Sequence, residues 1–305
     1  MIDLFISRNL FRLGCYFFFL GLVMFPLAAE GRSPQVKQSS SFPVITPTTP
    51  AAKEKMSQGL QQVQQGQLSQ GIRLFNEAIA LDPALWQAHY NLGLALRQSG
   101  DLQGAANAFY QTVVLQPNFA LGYASVGGIL TDVQNWSQAQ QYLELAIAIE
   151  PNLALAHYNL GLIHRQFGRV EAAVQAWETA RRLTPELNEA SLQLAEVYLN
   201  GDRLKEATTL TNEVLSRNSR LATAHYLQGR IAAARGNSEA ALTSFRTASQ
   251  IDPNYANAYL AAAKILIRNE RQSAAQPLLD YALLLYTQQG QTGWAQVTRE
   301  LRQQL

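Results

Sequence analysis

Four histidines are the first residues of this chain that could do chemistry: His89, His157, His164 and His225. Imidazole binds zinc when three or four ligands converge at short local spacings. His157 and His164 can share one helix face, but no third ligand stands at a matching distance. His89, His157 and His225 are 68 residues apart, a spacing that separates ligands instead of gathering them. No metal site and no cofactor is expected. The chain has no G-x-S-x-G elbow, phosphate loop, H-E-x-x-H or calcium loop. "GYASVGG" (122–128) is glycine-rich but sits in an apolar helical pattern, and Asp132, Glu171 and Glu178 have no paired carboxylate for acid–base work. The chain is therefore expected not to be an enzyme. The net charge of +2 gives no electrostatic reason to bind nucleic acid. One cysteine, Cys15, allows no internal disulfide.

The spacing of 68 has a structural source. "AHYNLGLALRQSG" (88–100) returns as "AHYNLGLIHRQFG" (156–168). Prolines 83, 117, 151 and 185 are spaced by 34, and Pro253 follows after a double interval that skips Ser219. With these prolines at position 32, repeats begin at Ala52, Trp86, Ala120, Ala154, Asn188, Ala222 and Ala256. Position 8 then reads Gly59, Gly93, Gly127, Gly161, Ala195, Gly229 and Ala263. Position 24 reads Phe75, Phe109, Leu143, Trp177, Thr211, Phe245 and Leu279. Each repeat is two helical stretches around a turn. The small residue lets the helices approach, the large one fills the gap, and proline ends the second helix. A single hairpin cannot bury its apolar face, whereas stacked hairpins bury a continuous core. His89, His157 and His225 fall on position 4 and are read as packing residues between repeats, and His164 falls on position 11, usually a large buried residue.

These positions resemble the tetratricopeptide repeat (TPR) family. The resemblance implies an all-α, right-handed superhelical solenoid of about seven 34-residue helix-turn-helix repeats plus a C-terminal capping helix. The expected layout is a hydrophobic signal or membrane anchor (1–29), a Pro/Ser/Thr-rich linker (30–51), repeats over 52–289 (52–85, 86–119, 120–153, 154–187, 188–221, 222–255 and 256–289) and a cap (290–305). Thr211 and Ser219 depart from the pattern, and Pro277 is expected to shift or kink the last second helix. "YALLLY" (281–286) is core or an interface.

The family resemblance places a protein-binding groove along the first helices. Its candidate residues here are Tyr90, Asn91, Arg97, Tyr158, Asn159, Arg165, Tyr226 and Arg230. Two readings of each tyrosine stay open: a groove contact, or packing against a neighbouring repeat. The carboxylate clamp of chaperone-binding relatives is absent, since Met56, Leu60, Leu121 and Ser125 flank Asn91 where the clamp needs basic and amide residues.

"LGCYFFFLGLVMFPLAA" (13–29) is free of charge and follows Arg8 and Arg12. A signal core runs to about 15 residues and a membrane span to about 20. A cut after Ala29 would put Leu27 where a small residue is preferred, so an uncleaved anchor is favoured. Residues 30–51 read as an extended tether. The layout resembles cyanobacterial membrane-anchored TPR proteins that assist photosystem or pigment-enzyme assembly. It implies a scaffold on a bacterial thylakoid or plasma membrane that binds protein partners, with 13–29 in the membrane. The alternative is a cleaved, secreted or periplasmic TPR protein of envelope assembly.

Overall fold

The computed structural model describes residues 49–305, which form fifteen α-helices and no strand. The first helices of the seven hairpins are α1 (Pro50–Gln64), α3 (Trp86–Ser99), α5 (Ala120–Asp132), α7 (Ala154–Gln166), α9 (Asn188–Asn200), α11 (Ala222–Ala234) and α13 (Ala256–Arg268). The second helices are α2 (Leu68–Leu81), α4 (Leu102–Leu115), α6 (Trp136–Ile149), α8 (Val170–Leu183), α10 (Leu204–Arg217), α12 (Ser238–Ile251) and α14 (Gln272–Gln288). A last helix, α15 (Thr292–Gln303), follows. The expected anchor and most of the expected linker lie outside the described residues. Helix α1 begins at Pro50, where Thr49 caps it by accepting from the Ala52 amide at 3.3 Å.

The helices fall into two compact units, described residues 49–159 and 160–305. In the first, α2 packs on both α1 and α3, and α4 on both α3 and α5. In the second, α10 packs on α9 and α11, α12 on α11 and α13, and α14 on α13 and α15. Each of these second helices is thus held between two neighbours, as a stacked array requires.

Contact between positions 8 and 24 brings the paired helices together. A methyl group placed on Gly93 would stand 2.6 Å from the Phe109 ring, and one on Gly127 2.7 Å from Leu143. On Gly229 it would stand 2.5 Å from Phe245, and on Gly161 it would overlap Trp177. Those distances are far inside van der Waals contact, so the large residue occupies the space the glycine leaves. The rings are sealed: Phe109 and Trp177 are 0% exposed and Phe75 1%. Ala195 replaces glycine where the opposing residue is Thr211, which shortens the knob and leaves room for a methyl.

The turn inside each hairpin requires a left-handed residue at position 15. Gly66, Gly100, Gly168 and Gly236 supply it, with φ between 69° and 90°. Gln134, Asp202 and Glu270 occupy the same place at φ 62°, 58° and 60° despite their side chains. All close alike: the Asp101 amide donates to Leu96 O at 2.9 Å, and that of Asn135 to Leu130 O at 2.8 Å.

The turn between hairpins explains the histidines. Nε2 of His89 bonds the Pro83 carbonyl at 3.0 Å, His157 the Pro151 carbonyl at 2.8 Å, and His225 the Ser219 carbonyl at 3.0 Å. Carbonyls only accept, so each ring donates from Nε2 and pins position 32 to the next first helix. Asp82, Asn218 and Asp252 stiffen the same turns by accepting from the amide two residues on.

Pro277 does not interrupt the last hairpin: α14 runs through it for 17 residues, against 14 in α12. Thr287 stands where earlier repeats carry proline, so nothing stops the helix at the usual point. Burial of Leu279, Ala282, Leu285 and Tyr286 holds it. The opposite face leaves Tyr281 39% and Leu284 49% exposed.

Two substitutions test this account. Gly93→Ala overpacks the Phe109 contact and is expected to lower stability by about 1–3 kcal/mol. Gln134→Gly relieves left-handed strain, partly offset by unfolded-state entropy, and is expected to raise stability by about 0.5–1 kcal/mol. Urea titration of both variants measures the difference.

Candidate protein-binding groove

Position 5 of the first helix decides what its tyrosines can do. Tyr90 on α3 is wedged between Phe109, at 5.6 Å, and Phe119, edge-on at 5.1 Å. Tyr226 on α11 repeats this between Phe245, at 5.7 Å, and Tyr255, edge-on at 5.3 Å. Both therefore pack first. Tyr90 is only 5% exposed, so its ring offers almost no contact surface, and burial pushes its phenol up to about 12. Tyr226 is half-buried and still lines an open groove. Tyr158 and Asn91 are also half-buried.

In the first unit, Arg97 on α3 donates from Nη2 to Oδ2 of Asp132 on α5 at 2.8 Å. Its Nη1 lies 3.9 Å from the place a Gly128 side chain would start, and Asn159 Nδ2 lies 3.4 Å from it. Both are ordinary van der Waals distances, so a methyl group at 128 would fit between the two donors. Asn159 is itself 7% exposed.

In the second unit, first helices α9, α11 and α13 line a groove of about 840 Å³. Leu199, Ala233 and Ala261 give it partly exposed apolar surface beside the nearly buried Leu192, Leu227, Leu260 and Ile265, and Gln193, Asn200 and Asn257 give it amides. Glu196 on α9 sits between two guanidiniums, Arg230 at 2.8 Å and Arg165 at 3.7 Å. Arg230 also donates to Asn200 Oδ1 at 2.9 Å and lies 5.9 Å over the Tyr226 ring. Arg165 also bonds Gln193 on the groove wall and lies 5.8 Å over Trp177. The arginines read from the sequence are thus tied into the array, and Arg165, Tyr226 and Arg230 converge around one carboxylate.

Of the residues that line this groove, only Tyr226 and Arg230 were among the sequence candidates, and two of the others stand out. Trp294 of α15 lines the far end, 50% exposed, with Lys264 of α13 set 5.9 Å from its ring. Lys264 occupies position 9 and was visible there. Trp294 lies beyond the last repeat, so no periodic argument selects it.

Burial raises the phenols of Tyr226, Tyr255 and Tyr286 above the ordinary tyrosine range. They stay neutral donors, as the Tyr286 hydroxyl does toward Asn257 Oδ1 at 2.6 Å. Among the described residues no cluster of three metal-ligating side chains occurs.

Stacked helical hairpins with an amphipathic groove along their first helices define a repeat-protein class that presents surface to partner proteins. The tetratricopeptide-repeat family model matches residues 56–120, 130–186 and 167–219, and a second TPR repeat model matches 229–269. The chain belongs to the tetratricopeptide-repeat family. Among solved structures it is similar to the APC/C hetero-tetramer Cut9–Hcn1, with 18% identity and a TM-score of 0.67 over 70% of this chain and 43% of that one. It therefore spans less than half of that chain. Pseudomonas aeruginosa pilF is similar at 19% identity and TM-score 0.60, over 72% of this chain and 97% of that chain. A tetratricopeptide repeat protein from Parabacteroides merdae is similar at 17% identity and TM-score 0.60, over 84% and 98%. At these identities the likeness is one of fold. No curated protein sequence matches the chain.

The buried Tyr90 predicts an alkaline limit. Its phenol ionises near 10 when unfolded and near 12 when folded, so its contribution is complete below 10 and is lost as pH rises toward 12. Melting temperature is expected to fall across that window, and less steeply in Tyr90→Phe, as followed by circular dichroism.

Proposed function

We propose that this chain is a non-enzymatic scaffold that binds an extended segment of a partner protein in the groove of α9, α11 and α13. The observation that carries the reading is that groove. Its volume is about 840 Å³, and aliphatic walls, fixed amides and charged side chains converge in it from three successive repeats. Apolar surface supplies affinity, and a few placed polar groups supply orientation. The partner is protein instead of nucleic acid, because the chain's charge of +2 is nearly balanced.

In the same proposal residues 13–29 anchor the chain and residues 30–51 tether the array, as in membrane-anchored TPR assembly factors of photosynthetic membranes. Among the described residues no helix is long and apolar enough to cross a membrane. The charge-free run 13–29, with an unfavourable Leu27 for cleavage, supports the anchor. The alternative is a cleaved periplasmic or secreted protein of envelope assembly. N-terminal sequencing separates the two: an intact N-terminus that sediments with carbonate-washed membranes is expected. A mature start near Glu30 would establish the cleaved form.

The groove is tested by affinity capture with full-length protein and with Tyr226→Ala/Arg230→Ala. The expected result is a partner protein retained by the first and lost by the second, with helical content preserved. A partner held equally by both would move the site out of the groove.

A further inference from the structure

We infer that the C-terminal end of the groove reads a carboxylate beside an apolar side chain, so that the partner segment is acidic and amphipathic. The inference rests on the groove being the protein-binding site and adds the chemistry of what fills it.

Charge is the first argument. Arg165, Arg230 and Lys264 bring three positive charges to this region, against one negative charge from Glu196. The two arginines share the Glu196 carboxylate, and Arg230 is held further by Asn200. Lys264 is different. It is exposed, and among the described residues it forms no salt bridge. An ammonium at the wall of a partly apolar groove attracts a carboxylate more strongly than one in open water, because field lines concentrate between low-dielectric walls.

Trp294 is the second argument. Its indole stacks at 6.2 Å and 22° on Tyr286, which is 0% exposed. The Tyr286 hydroxyl is in turn fixed to Asn257 of α13. The exposed half of the indole is therefore a pre-positioned platform, and a ligand side chain stacking on it orders little that is still free. Lys264 beside that platform places a cation within reach of a carboxylate one or two residues along the bound segment. Ala261 continues the apolar surface inward. The chain's own tether is a poor match, since Arg32 and Lys37 outnumber Glu30 between residues 30 and 51.

A random twelve-residue peptide library displayed on phage tests the inference against the full-length chain in detergent. Lys264→Glu and Tyr226→Ala/Arg230→Ala serve as comparison targets. Lys264 is exposed, so its variant is expected to melt as the parent does. Enriched peptides are expected to carry Asp or Glu within a few positions of an aromatic or aliphatic residue. Their synthetic forms should bind Lys264→Glu about tenfold or more weakly, the loss of one charge-assisted contact. Replacing the peptide carboxylate by its amide should cost a similar factor. Neutral, basic or tether-like peptides that ignore Lys264→Glu but need Tyr226 and Arg230 would overturn the carboxylate inference and leave the groove standing. Peptides indifferent to both variants, or no enrichment at all, would overturn both readings.

Discussion

Each hairpin depends on a contact between the eighth and twenty-fourth residues of its repeat. A helix pair can approach closely only where one partner gives up its side chain, and the space so opened must be filled to avoid a cavity. Gly93 with Phe109, Gly161 with Trp177 and Gly229 with Phe245 meet both demands together. The fifth repeat solves the same problem with Ala195 and Thr211, both buried. In that repeat the two departures compensate each other, because space taken by the Ala195 methyl is given up by the shorter Thr211, whereas the seventh repeat accommodates Ala263 beside a full-sized Leu279, both 0% exposed. Once this spacing is set, the first helices lie side by side, with α9 against α11 and α11 against α13, and their outward positions form one surface.

That surface serves two demands at once. Position 5 tyrosines brace the stack, and in Tyr226 the same ring also faces the groove. Arg165 and Arg230 clamp Glu196 across neighbouring first helices, yet they leave positive charge in excess. Exposed ion pairs of this kind add little stability. In the binding role proposed for the groove, their greater effect is to fix where donors and charge stand before a ligand arrives, which lowers the entropy cost of binding.

Much of this was legible in the sequence. The period of 34, the small and large positions and the proline stops pointed to an all-α array of paired helices, because each reflects a local steric rule repeated many times. The left-handed turns at Gln134, Asp202 and Glu270 were less visible, since tertiary packing there overrides the preference for glycine. Tyr90 and Tyr226 share one repeat position, so sequence alone could not separate the nearly sealed ring from the groove-lining one. The histidine bonds to the inter-hairpin carbonyls were hidden because they depend on the path of the turn. Trp294 escaped because the periodic argument ends where the repeats end.

The central claim is that the stacked hairpins exist to present their first helices to a partner protein. Hydrogen–deuterium exchange of the full chain, with and without a captured partner, measures this most directly. The account predicts added protection in α9, α11, α13 and the start of α15, with α10 and α12 little changed. Protection confined to the second helices, or to residues 30–51, would contradict it.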